Sequence, residues 1–226
     1  MIKTGKLTLH SHMVVDYGFF GTTLHNNEII PNHWSLSVDI GAFARPGATP
    51  EEVEEDTRTV ALAYKRMRTW LDIGLNGVVF VDVSSDEDFA IAMHVANPVV
   101  YVPGAITDEL IAQLIHAKIS ALSGDALVMG AIRISSKQSS VSYTFSTSDQ
   151  GYRLPETTKY FTRSKTKHSV PWWHRNDGFC LEIPVTESGE EIVVEDPLDF
   201  LSEEHTEPKA SAGRMVRIDS WAPKKV

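Results

Sequence analysis

The 226-residue chain holds a single cysteine, Cys180. One thiol excludes an intrachain disulfide and leaves no cysteine pair for a metal. Long apolar runs are also missing. None approaches the roughly 18 residues a membrane-spanning helix needs, so no membrane partner is expected. Basic charge is scarce: Lys and Arg number 21 against 30 Asp and Glu, a formal net charge of −9. That balance argues against a general nucleic-acid coat. The chain has no Gly-rich phosphate loop, no Gly-x-Ser-x-Gly elbow and no His-Glu-x-x-His pair. Enzymes recognisable by those motifs are therefore not indicated, although side chains distant in sequence can still converge into a catalytic site. Met1 to Lys6 lead into an alternating strand and not into the apolar core of a signal peptide. A cytoplasmic location is expected, or incorporation into a particle.

What is present is enough for a sizeable core. The densest apolar runs are 77–81, 99–102 and 127–132. Helix-like segments separate them, which predicts an α+β domain with a mixed sheet. Leu7, Leu9, Met13, Val15 and Tyr17 alternate with Thr8, His10, His12, Val14 and Asp16. Trp34, Leu36, Val38 and Ile40 alternate in the same way with Ser35, Ser37 and Asp39. These two strands are expected to pair as an N-terminal β-hairpin with one polar face, with 21–32 as the turn. Thr49-Pro50-Glu51-Glu52 is a helix start, with a Thr cap, Pro at the first helical position and Glu three residues after the cap. Val53, Thr57, Val60, Tyr64, Met67 and Leu71 then form an apolar stripe. Thr107 caps another helix, with Leu110, Ile111, Leu114, Ile115, Ile119 and Leu122 inward.

Residues 33–146 fit a ferredoxin-like order with 85–96 as an inserted helix, or a small parallel βαβαβ core. Three regions follow: an α+β core over 1–146, a basic-aromatic arm over 147–177, and a C-terminal extension over 178–226. The extension contains a hairpin around Glu187-Ser188-Gly189 and a run of acids.

The arm carries the most distinctive chemistry. Between Gly151 and Arg175 lie six basic residues, Arg153, Lys159, Arg163, Lys165, Lys167 and Arg175, and one acid, Glu156. Tyr152, Tyr160, Phe161, Trp172 and Trp173 stand among them. Aromatic faces stack on bases while cations neutralise phosphates, as single-stranded nucleic-acid binders require. Nine acids without a Lys or Arg follow between Thr186 and Pro208. The cations can equally pair with those acids, in the same chain or in a neighbouring copy.

Two further features bear on a site. His10 and His12 stand two apart on one strand, with Asp16 on the same face and Asp39 on the next strand. Two imidazoles and a carboxylate in that pattern can hold a divalent metal. Asp82-x-Ser84 resembles the start of the Asp-x-Ser-x-Ser metal-binding loop of von Willebrand A-type domains, with Asp86 where that loop has its second serine. The resemblance implies a divalent cation at the carboxyl end of the strand.

The leading expectation is a non-enzymatic, self-associating assembly or interaction protein without a cofactor. Its arm and acidic tail would contact other copies, a design that suits a viral or phage particle. The alternatives are a nucleic-acid or nucleotide-binding protein using the arm, and a metal-dependent hydrolase using His10 and His12.

Overall fold

The computed structural model describes residues 8–44, 47–92, 98–124, 126–146, 160, 170–179, 196–199 and 201. They form an α+β fold around a six-stranded mixed sheet. The strands are β1 (Thr8–His25), β2 (Glu28–Ala44), β3 (Val78–Asp82), β4 (Val99–Val102), β5 (Val128–Ser136) and β6 (Tyr143–Phe145). The helices are α1 (Pro50–Gly74), α2 (Asp86–Ala92) and α3 (Asp108–Ser123). Across the sheet the order is β4-β3-β1-β2-β5-β6.

The hairpin of β1 and β2 is the centre of the sheet and is longer than its alternation predicts. The chain turns only at Asn26 and Asn27, whose φ angles are 50° and 66°. A two-residue left-handed turn matches the natural twist of two strands, and Asn tolerates it. Asp88 of α2 locks this turn by accepting the backbone N–H groups of Asn26 and Asn27 at 3.2 and 2.8 Å. Gly21 and Pro31 read as breakers, yet both lie inside strands. A Cβ on Gly21 would stand 3.0 Å from the Val78 carbonyl oxygen and 3.2 Å from the Trp34 ring. Glycine is there for close packing. Pro31 pairs with Thr22, before β2 reaches its β5 partners at Trp34 and Ser136. One side of its backbone thus has no strand to bond among the described residues, which is where a sheet accepts proline.

The strand order departs from the ferredoxin-like one. There, 77–83 and 99–102 would be an antiparallel pair. Here β3 and β4 run parallel, joined through α2, and β1 inserts between β3 and β2. A helix between two adjacent strands supplies the crossover that parallel pairing needs. The parallel βαβαβ alternative describes β3 and β4 but not β5, which lies beyond the hairpin and pairs antiparallel with β2.

α1 and α3 cover one face of the sheet. Val15, Phe19, Trp34, Leu36, Val38, Phe80, Ile132 and Ile134 meet them in the main core. Each such burial contributes on the order of 1.5–3 kcal/mol. The α1 capping box forms as its sequence demands: Glu52 N–H donates to Thr49 Oγ1, and Thr49 N–H to Glu52 Oε2. Only the second half of α1 packs, through Ala63, Met67, Trp70 and Leu71, while Val53 is exposed. α2 lies on the opposite face, where Leu24, Val79, Val81 and Ile91 form a smaller cluster. β3 is therefore buried on both sides, which explains its unbroken apolar run.

Apart from Phe179, the expected hairpin over 179–194, the last strand over 215–221 and most of the arm lie outside the described residues.

Candidate functional site

Of the arm, Tyr160 and residues 170–177 are described, and Tyr160, Trp172 and Trp173 belong to the core. Trp172 and Trp173 form a single 3-10 turn with His174, and both rings are buried. Tyr160 and Trp173 meet edge to face at 4.8 Å, as do Trp172 and Trp173 at 5.6 Å. Lys118 of α3 explains the attachment. It is fully buried, and its Nζ donates to the carbonyls of Trp172 at 3.0 Å and Arg175 at 2.9 Å and to Asp177 Oδ1 at 3.3 Å. Arg175, also buried, bonds the other Asp177 oxygen at 2.8 Å. Trp172, Trp173 and Arg175 thus act inside this chain instead of offering stacking faces or a free cation outward. Arg153, Lys159, Arg163, Lys165 and Lys167 lie outside the described residues.

The second candidate is the open face of the sheet. α2 covers the β4-β3 end and the end of β1 at Leu24. Over the rest of β1, and over β2 and β5, no described element lies on the face opposite α1 and α3. Strand register places Asp16, Ser37 and Arg133 in one row across that face. Asp16 and Arg133 stand two strand spacings apart, about 10 Å, and neither makes an ion pair among the described residues. With Gly18, Ser35 and Ser135 they line a shallow depression of about 450 Å³. Val14 and Phe20, 56% and 62% exposed, flank it along β1.

The metal-ligand candidates lie at the other end of this face. His12 Nε2 pairs with Asp39 Oδ1. The carboxylate is seated by a β-bulge: register slips by one residue between Val38 and Ile40, leaving Gly130 and Ala131 opposite Asp39. A Cβ on Gly130 would come within 2.9 Å of the Asp39 carboxylate, so only glycine leaves room. On the covered side of the bulge, His116 of α3 forms a backbone hydrogen bond with Gly130. Burial holds its pKa below the ordinary histidine value, with that hydrogen bond acting against the shift. Asp16 lies on the same face but does not join a metal-type cluster. Among the described residues, no three His, Cys, Asp or Glu side chains converge to hold a metal. A further register slip falls between Leu9 and Ser11, so His10 is an extra residue and simple alternation no longer places it with His12. The His10 side chain lies outside the described residues.

A third feature was not legible in the sequence. On the covered face, the apolar row gives way at one end of the sheet to Thr23, Asn32 and Ser136, all buried. These meet the N-terminus of α3 around a pocket of about 240 Å³, which Thr107, Asp108 and Gln138 also line. Asp108 accepts from Trp34 Nε1 and from Ser136 Oγ, each at 3.0 Å. Sequence reading assigned Thr107 as a cap, and its Oγ1 does accept the Leu110 N–H at 3.1 Å. Nothing local announces the convergence of 23, 32, 108 and 136.

The Asp82 loop has a local explanation. Asp82 Oδ1 accepts both the backbone N–H and the hydroxyl of Ser84 at 2.7 Å, a side-chain-closed turn leading into α2. No helix among the described residues is long and apolar enough to cross a membrane. In comparisons with known proteins, no family model and no curated protein matches the chain.

Proposed function

We propose that this is a non-enzymatic, self-associating protein whose copies meet across the open face of the sheet. The observation that supports it best is the row Asp16–Ser37–Arg133. Two opposite charges lie on an uncovered face and do not pair with each other among the described residues. A two-fold axis along β2 above Ser37 sets Asp16 of each copy against Arg133 of the other. That geometry is isologous, so one surface complements itself twice. It also keeps the strands of the two sheets roughly aligned, as in face-to-face sheet packing. Val14 and Phe20 supply apolar surface beside the charged row. An assembly built this way suits a structural component of a larger particle. The net charge of −9 supports a protein partner more than a polyanion. The nucleic-acid alternative retains Arg153, Lys159, Arg163, Lys165 and Lys167, but Trp172 and Trp173 are occupied in the core.

Sedimentation velocity tests the proposal. A dimer or larger species is expected at low salt, with dissociation as salt screens the exposed charge pairs. A strictly monomeric protein at every concentration refutes it.

A second reading draws on His12 and Asp39, whose pairing over Gly130 is a starting point for a metal-dependent hydrolase with His10. Uptake of Zn²⁺ or Mn²⁺ by the metal-free protein would support it, and failure to take up either would remove it.

A further inference from the structure

We propose that the pocket at the N-terminus of α3 binds a neutral, hydroxyl-rich molecule of about monosaccharide size. This inference is independent of self-association, because the pocket opens on the helix-covered side of the sheet.

Three observations carry it. The first is Asn32, only 8% exposed. Its Oδ1 accepts the His33 backbone N–H at 2.8 Å, which fixes the amide orientation. Its Nδ2 donates to no described residue, and Asn32 lines the pocket. An amide donor at the wall of a pocket favours an occupant that can accept from it.

The second is the change in character of the covered face. Along β2, Val38, Leu36 and Trp34 are apolar, and the next residue on that face is Asn32. Along β5, Ile132 and Ile134 are followed by Ser136. Folding alone favours apolar side chains at such positions. The polar ones occur together, where α3 begins.

The third is the charge balance, which sets the ligand class. Among the described residues, no Lys, Arg or His lines the pocket. The carboxylate among the described lining residues, Asp108, is held by Trp34 and Ser136 and stands in the first turn of α3, where the helix dipole offsets its charge. The site is therefore close to neutral and calls for a neutral ligand. Asn32 Nδ2 offers donors, Asp108 and Gln138 Oε1 offer acceptors, and Thr107 offers a hydroxyl. Trp34, Ile106 and Ile111 add apolar walls. Hydroxyls on a ring with C–H faces match that combination. The volume lies below the ~300–1,000 Å³ of pockets for drug-sized ligands, so one small ring fits.

The test is a titration of the ¹⁵N-labelled full chain with D-glucose, D-galactose and myo-inositol, followed at the Trp34 indole N–H. At least one should give saturable shifts at Trp34 and Leu110, with affinity weakened about tenfold or more by Asn32→Asp. That variant keeps the acceptor for His33 and the side-chain shape, so its spectrum should otherwise be preserved. Asn32→Ala should weaken binding similarly, while Arg133→Asp on the other face should leave it unchanged. No saturable shift with any neutral probe up to about 100 mM overturns the proposal. So does glucose 6-phosphate binding more tightly than every neutral probe, because the helix N-terminus would then be an anion site.

Discussion

Replacing Lys118 with Met removes one ammonium and keeps most of the side-chain length. Two backbone carbonyls and one carboxylate oxygen then lose a fully buried donor. Breaking a buried pair from one side costs about 3–5 kcal/mol. The lower end applies here, because Asp177 is partly exposed and keeps Arg175 Nε at 2.8 Å and the Phe179 N–H at 3.0 Å. A loss of about 3 kcal/mol is expected from urea unfolding at unchanged m-value. For a chain of this size it lowers Tm by about 6–12 °C. Trp172 and Trp173 should report the event through red-shifted fluorescence well below the unfolding transition, as the 3-10 turn leaves α3. Lys137→Met, at an exposed position, is the control and should stay within about 0.5 kcal/mol. A Lys118→Met loss below about 1 kcal/mol would refute the claim that this lysine clamps the described part of the arm.

Gly130→Ala should cost about 1–3 kcal/mol, because its methyl meets the Asp39 carboxylate, and circular dichroism melts would show it. Asp88→Ala removes both acceptors from the Asn26–Asn27 turn; about 1–3 kcal/mol should be lost, with hydrogen exchange accelerated at those two amides. The depressed pKa of buried His116 gives stability a pH slope. The unfolded chain binds a proton that the folded chain refuses, so this contribution is complete above 6.5 and is lost as pH falls below it. Urea midpoints should therefore drop between about pH 7.5 and 5.5, and less steeply in His116→Gln.

Local features read well from the sequence. Thr49 and Thr107 cap the helices they announce, and the alternation of 34–40 with Ser35, Ser37 and Asp39 marks a strand with one polar face. Such signals act over a few residues. The strand order is different in kind: the position of β1 beside β3 rests on contacts between residues more than fifty apart, such as Thr22 and Val79. Lys118 shows the same limit. A lysine on a helix ordinarily marks the solvent side, and only the returning 172–177 segment converts it into a buried clamp. Trp172 and Trp173 are ambiguous for the same reason, because an aromatic ring beside cations suits a base or a core equally. Asn32 looked like the end of a turn, since Pro31 masked the continuation of β2 through it.

The charge swap tests the proposed face most directly. In sedimentation velocity at low salt, Asp16→Arg alone and Arg133→Asp alone should each shift the protein toward monomer, because each places like charges opposite one another across the two-fold axis. The double variant, Asp16→Arg with Arg133→Asp, restores opposite charges and should recover the wild-type mass. If both single variants sediment as the wild type does, or the double variant stays as dissociated as the singles, the open sheet face is not where copies of this chain meet.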